Sequence, residues 1–432
     1  MRYFSTNDKL KGYSFETVVM SGLANDGGLF VPEYIPQFTN DEQSNINSES
    51  FNEIAFDISK KFIGNAINNN DLLSIIKNAF NFEPKFVELE KDLIILELFH
   101  GPTLAFKDYG ARFMANVMSH FAKNKKNKLT ILVATSGDTG SAVANAFYMK
   151  EGIDVYILYP SGMVSNFQEK QLTTFDGNIT SIEIDGTFDD CQKIVKSSFI
   201  DIVLNKKINL TSANSINIAR LIPQSFYYLK TYKKYSDENI TFIVPSGNLG
   251  NLTAGLYADK MGMKNVSFIS ALNSNRMFFE YLLNGSKTSR DTIRTISNAM
   301  DVGNPSNLDR IIDLFDNNLY EMKAKICSYY FDDSDTVESL KECFQKYNYL
   351  LDPHGAIGYS AMKTDKKLST KNSKYIILET AHPSKFVDVV EPLINKKIEI
   401  PKRLSSCLNK QKKSVKLSNS FTDFKDYLLA NS

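Results

Sequence analysis

From Leu93 onward, short apolar runs alternate with longer segments whose apolar positions recur at helical spacing. The runs are LIILEL from Leu93, LTILVAT from Leu129, VYILYP from Val155, SIEI from Ser181, ITFIVPS from Ile240, VSFISAL from Val266 and YIILETA from Tyr375. Their length and their β-branched and aliphatic content predict strands, and the helices between them predict parallel pairing in an α/β fold. Ligands in such sheets sit beyond the carboxyl ends of strands, so the loops after these runs are where chemistry is expected. Before Leu93 the pattern differs. FNEIAFDISKKFI from Phe51 and DLLSIIKNAF from Asp71 carry apolar residues at helical spacing, the Asn-rich GNAINNN between them reads as a loop, and so does the polar stretch 38–52. The expected division is a mostly helical region 1–85, either a small domain or an arm wrapped on the body, then an α/β body 86–395. A C-terminal extension 396–432 follows, its lysines read as a solvated face.

The length of 432 residues is ample for two or three domains. Hydrophobic residues at 43% and charged residues at 23% are ordinary for a globular protein. The 50 basic and 49 acidic residues leave a net charge of +1, which removes the signature of a nucleic-acid binder and favours a small or zwitterionic partner. Cys191, Cys327, Cys343 and Cys407 are scattered, without a CxxC pair, and read as reduced thiols. With no signal-peptide core and no long apolar stretch, the expected location is the cytoplasm, away from membranes. Nothing in these numbers points to a particular oligomeric state.

Four predicted strands run into unusual loops. The first, His100-Gly101-Pro102-Thr103-Leu104-Ala105-Phe106-Lys107-Asp108, precedes the helix YGARFMANVM. A lysine at a helix start gains nothing from a dipole that favours anions. Desolvation and the dipole would lower its pKa and suit it to a Schiff base with an aldehyde cofactor, although alone Lys107 reads more simply as a surface lysine. The second loop, Thr135-Ser136-Gly137-Asp138-Thr139-Gly140, offers free N–H groups to a carboxylate, or forms a plain helix cap. The third, Pro245-Ser246-Gly247-Asn248-Leu249-Gly250-Asn251, lets the backbone approach a phosphate, or makes a capping turn. It lacks the Lys-Ser/Thr pair of a Walker A loop and the third glycine of a dinucleotide fingerprint, so the single phosphate of a small cofactor fits better. In the fourth, Leu378-Glu379-Thr380-Ala381-His382-Pro383-Ser384-Lys385, the Thr380 hydroxyl can meet a pyridine nitrogen without placing a formal charge on it. His100, His120, His354 and His382 show no metal-binding spacing, and no GxSxG elbow occurs.

Together these residues resemble the threonine synthase family, pyridoxal-phosphate enzymes of the fold shared with the tryptophan synthase β subunit. The likeness runs close to full length through GLANDGGLFVP, ELFHGPTLAFKD, ATSGDTGSAV, QEKQ, SANSINIAR, VPSGNLGNLTAG, SNAMDVGNPSN, DPHGAIGY and ETAHPSKF. HGPTLAFKD with SGDTG is its specific part. The resemblance implies two parallel-sheet lobes of fold type II beside a mostly helical N-terminal domain, with pyridoxal 5'-phosphate as cofactor. It makes Lys107 the Schiff-base lysine, Gly247, Asn248, Leu249, Gly250 and Asn251 the cradle of the cofactor phosphate, and Thr380 the partner of the ring nitrogen. Ser136, Gly137, Asp138 and Thr139 then face the substrate carboxylate or the ring hydroxyl, Asp138 on the cofactor side. Asn214, Ser215, Asn217 and Arg220 fall on the substrate side, with Arg220 offered to the substrate's phosphate because a guanidinium fork matches it.

The implied reaction is a β,γ-replacement, the last step of threonine biosynthesis, in which O-phospho-L-homoserine and water become L-threonine and phosphate. Lys107 would move protons at both Cα and Cβ, provided its pKa lies near working pH. Two departures from the family pattern bear on the substrate's phosphate. Pro160-Ser161-Gly162-Met163 stands where the family usually has a basic Pro-Lys/Arg-Gly-Lys segment, and ALNSNRMF brings in Leu272 and Arg276 where Ala-Thr-Asn-x-Asn-Asp is usual. The competing readings are a phospholyase releasing 2-oxobutyrate, a nucleotide-binding oxidoreductase built on GNLGN, which leaves Lys107 and SGDTG unexplained, and a non-catalytic binding protein.

Overall fold

The structure is a computed structural model that describes residues 1–39, 42, 50–123, 125, 127–368 and 373–431. Much of the stretch 38–52 expected as a loop, and the final residue of the extension, lie outside the described residues. In chain order the strands are β1 (Tyr3–Ser5), β2 (Phe30–Pro32), β3 (Lys85–Glu90), β4 (Leu93–Glu97), β5 (Leu129–Ala134), β6 (Ile153–Pro160) and β7 (Ile179–Asp185). They continue with β8 (Asn209–Ser212), β9 (Ile240–Pro245), β10 (Val266–Leu272), β11 (Ile326–Tyr330), β12 (Lys374–Glu379) and β13 (Val415–Ser418). Every run read as a strand is one. β1, β2, β3, β8, β11 and β13 were not anticipated; they are short or half-exposed, without a continuous apolar run.

Two sheets form the body. The larger has the order β11-β10-β9-β12-β4-β3 and is parallel except for the β3–β4 hairpin. The other, β13-β7-β6-β5-β8, is parallel throughout. All residues of β5, β9 and β12 are buried, because helices cover both sheet faces and leave no solvated side to require alternation. β12 inserts between β9 and β4, with Ile376 opposite both Phe242 and Ile94. Three of the four unusual loops therefore leave adjacent strand ends.

The N-terminal region is an arm packed on the body. Phe51, Ile58, Phe62 and Ile75 from helices Phe51–Ile63 and Asn69–Ala79 share one core with Tyr109, Phe113, Phe226 and Tyr257. Phe51 meets Phe80 and Tyr109 edge-on, at ring distances of 5.5 and 5.6 Å. The C-terminal extension is also integrated. β13 pairs with β7, and Phe424 and Leu428 of helix Phe421–Asn431 enter the core of that sheet. Its lysines are mostly exposed, as expected; Lys412 is half-buried, its Nζ 2.6 Å from Glu169 and 2.7 Å from Glu183, and the exposed Lys413 pairs with Asp176. No described helix is long and apolar enough to cross a membrane.

Arg310 ties the arm to the body. Its guanidinium is fully buried and donates to the carbonyl oxygens of Phe30, Ser215 and Ile216 at 3.0, 3.0 and 2.5 Å, and to Asn307 Oδ1 at 2.8 Å. Arg310→Ala strands those acceptors away from water. The expected loss is about 3 kcal/mol or more, read as a lower urea midpoint, whereas an unchanged midpoint would show that the arm is held elsewhere.

Candidate active site

The first and fourth loops are sewn together by the backbone. Phe106 N–H donates to Thr380 O at 2.8 Å, and His382 N–H donates to Leu104 O at 3.0 Å. The first loop folds around the buried Asp108 carboxylate, which accepts from Thr103 N–H at 2.8 Å and from its hydroxyl at 2.6 Å. Gly101 is needed there, since a Cβ would lie 2.4 Å from Asp108 Oδ2. This construction places Lys107 at the first position of helix Lys107–Ala122. In the second loop, Thr135 Oγ1 accepts from Gly137 and Gly140 N–H and sets the start of helix Asp138–Phe147.

A cavity of about 490 Å³ opens where the strand-end loops meet. Its wall includes Lys107, Ser136, Asp138 and Thr139, then Asn214, Ser215 and Arg220, then Gly247 through Asn251, and Thr380. Two expected site residues are not on that wall. Gly137 packs against the Gln168 side chain, and Asn217 is a buried helix cap whose Nδ2 donates to Val19 O at 2.8 Å and whose Oδ1 accepts from Ala219 N–H. Ser215 does line the cavity, but its hydroxyl is engaged with the side chains of Asn248 and Asn307, at 2.7 and 3.2 Å.

Charge is concentrated near Lys107. Its Nζ lies 3.9 Å from Asp138 Oδ2, while Asp138 Oδ1 sits 2.6 Å from Lys385 Nζ and accepts from Gln168 Nε2 at 3.0 Å. Burial lowers the Lys107 pKa, Asp138 opposes, and Lys385 and Arg220 lower it further, leaving it at about 8. Burial disfavours the Asp138 anion, yet the facing Lys385 and Lys107 outweigh it and hold the carboxyl below its ordinary range. Burial also pulls Arg220 down to about 10, so it remains a cation. Arg220 Nη1 donates to Ala213 O at 2.7 Å, while its Nε is buried without a partner.

The third loop fits a phosphate. Leu249 adopts a left-handed φ of 58° just before helix Gly250–Lys260, the kind of turn that can gather N–H groups around an anion. Gly247 has no room for a side chain, because a Cβ would lie 2.8 Å from Met300 Cα. Asn251 Oδ1 accepts from the hydroxyls of Tyr227 and Tyr228 at 2.5 and 2.9 Å, and its Nδ2 is left buried without a partner. A donor fixed by two tyrosines beside a cradle of N–H groups suits an anion that the protein does not itself supply.

The comparisons with known proteins show the family. The family model "Threonine synthase N terminus" matches residues 2–80, "Pyridoxal-phosphate dependent enzyme" matches 84–380, and "Threonine synthase, C-terminal" matches 355–428. The chain belongs to the threonine synthase family. Among its curated relatives, the threonine synthase of Buchnera aphidicola subsp. Acyrthosiphon pisum is 42% identical over 434 residues, covering 99% of this chain and 100% of the relative. The solved threonine synthase of Escherichia coli superposes with a TM-score of 0.93 at 37% identity and covers 100% of both chains. The pyridoxal-phosphate-bound threonine synthase of Brucella melitensis gives 0.90 at 30% identity, covering 99% and 98%. As a member of the threonine synthase family this chain is a pyridoxal-phosphate enzyme of fold type II, as the resemblance implied.

Sequence reasoning assigned no role to three residues that shape this threonine synthase site. Lys385 lies within ETAHPSKF, and Gln168 lies within QEKQ. His354 lies within DPHGAIGY; it lines the cavity with Nδ1 3.0 Å from Asp352, while its Nε2 accepts from Ala299 N–H at 3.3 Å. The signal for each was membership in a quoted motif. The expected outcome for Asn251→Asp is that the tyrosine acceptor is kept while an anion replaces the donor, so affinity for pyridoxal phosphate in equilibrium dialysis falls by about 100-fold. Gly247→Val should weaken it as well, and unchanged affinity in both variants would place the phosphate outside this loop.

Proposed function

We propose that the chain converts O-phospho-L-homoserine and water to L-threonine and phosphate, with Lys107 as the lysine that holds the cofactor and moves protons. The observation that carries this reading is the presence in one cavity of the glycine loop Gly247 to Asn251 at a helix start, a lysine of lowered pKa and a second cation, Arg220. Bound pyridoxal phosphate would supply the electron sink that makes the substrate's Cα proton removable. Gly247 to Asn251 would hold its phosphate, and Thr380 would face its ring nitrogen as a neutral partner. Lys107, with a pKa of about 8, can both accept and return protons near neutral pH, at Cα and then at Cβ. Ser136 and Thr139, at the start of helix Asp138–Phe147, would orient the substrate carboxylate. Arg220 and Asn214, both on the cavity wall, would meet substrate polar groups.

The departures from the family pattern lie off the cavity wall. Ser161 Oγ donates to Glu183 Oε1 at 2.6 Å, and Met163 is 40% exposed. Leu272 ends β10 in the core, and Arg276 lies over Tyr330 and pairs with Glu280. The cations on the cavity wall are Lys107, Lys196 and Arg220.

The test is to incubate the holoenzyme with O-phospho-L-homoserine and measure phosphate and the carbon product together. Threonine is expected in step with phosphate, and Lys107→Ala should abolish both. Phosphate accompanied by 2-oxobutyrate would replace this reading with that of a phospholyase.

A further inference from the structure

Lys385 is a lysine with no exposed surface, which is a costly place for an ammonium. It sits in the turn Pro383–Phe386, five residues after Thr380, in a segment capped by His382 Nδ1, which accepts from Ser384 N–H at 3.1 Å. Its Nζ donates to Thr103 O at 3.0 Å and lies 2.6 Å from Asp138 Oδ1. A neutral donor would satisfy the Thr103 carbonyl equally well, so the hydrogen bond alone does not account for a buried charge. The other oxygen of Asp138 is the one facing Lys107, at 3.9 Å. One carboxylate is thus shared between two ammoniums, and the nearer one is not the lysine assigned to chemistry.

We propose that Lys385 is a positioning residue that acts through Asp138: by pairing with one carboxylate oxygen, it limits how strongly Asp138 holds a proton on Lys107. The inference rests on Lys107 being the cofactor-bearing lysine. The remaining charged and titratable neighbours are consistent with it. Lys107 is faced by Arg220 from helix Ile218–Leu221 and by Asp352 before helix Pro353–Leu368. Asp138 is also faced by His354. Lys385 is faced by Asp108, His382 and Cys407; burial brings His382 down to about 4 and pushes the Cys407 thiol up, so both are neutral at working pH. Lys385 is therefore the cation in direct contact with Asp138.

The test is made on holoenzyme. Borohydride reduction and peptide mapping first establish which lysine carries pyridoxal phosphate. The pH midpoint of the bound chromophore's absorbance is then compared among variants. Lys385→Gln keeps a donor for Thr103 O but removes the charge, so Asp138 acts fully on the Lys107 nitrogen and the midpoint should rise by about one pH unit or more. Lys385→Arg keeps the charge and should leave the midpoint in place. Asp138→Asn should move it down, the opposite way. A midpoint unchanged or lowered in Lys385→Gln, with Lys107 labelled, would overturn the inference and leave the Lys107 assignment standing. A label on another lysine would overturn the assignment itself. If Lys385→Gln does not fold, Lys385→Arg decides, and a raised midpoint there would overturn the proposal.

Discussion

The site depends on one topological constraint, the insertion of β12 between β9 and β4. Parallel strands expose their carboxyl ends on the same side, so the loops after β4, β12 and β9 emerge side by side. The lysine, the neutral hydroxyl of Thr380 and the glycine loop Gly247 to Asn251 are thereby drawn from segments far apart in the chain. Backbone hydrogen bonds from Phe106 to Thr380 and from His382 to Leu104 then fix the register between the first two of these loops. The second sheet contributes Asp138 through the loop after β5, and the cavity lies between the two sheets' strand ends.

That arrangement carries an electrostatic cost which the fold meets with shared charges. Lys107, Asp138, Arg220 and Lys385 are all largely withdrawn from water. Unpaired, each would be driven toward its neutral form. Asp138 stays ionised because two ammoniums face it, and Lys107 stays easily deprotonated because burial disfavours its charge and Lys385 and Arg220 add to that effect. Asp138 thus pairs with both lysines, while Asp108 and Asp352 add negative charge around Arg220, Lys385 and Lys107. Arg310 solves a different problem, anchoring the arm by donating to carbonyls, with no carboxylate among its hydrogen-bond partners in the described residues.

The strands of the body were legible because burial on both faces produces continuous apolar runs, and the loops were legible because glycines, hydroxyls and a lysine sit at strand ends. What the sequence concealed was pairing across distance. ICSYY and VKLS carry too little apolar surface to announce β11 and β13, which form as edges because a sheet already exists beside them. Asn217 looked like a substrate residue by its motif, yet its side chain caps a helix and reaches Val19 in the arm. Among the mostly exposed lysines of the extension, Lys412 is half-buried, because Glu169 and Glu183, more than 200 positions earlier, receive its charge. Lys385 was hidden for the same reason, since its partner Asp138 lies in the other sheet's loop.

The most direct test of the account is a crystal structure of the pyridoxal-phosphate-loaded protein. The cofactor phosphate should lie within hydrogen-bond distance of the backbone N–H groups of Gly247 to Asn251 and of Asn251 Nδ2, with continuous density from Lys107 Nζ to the cofactor. A phosphate bound away from that loop, or a cofactor joined to a different lysine, would contradict it.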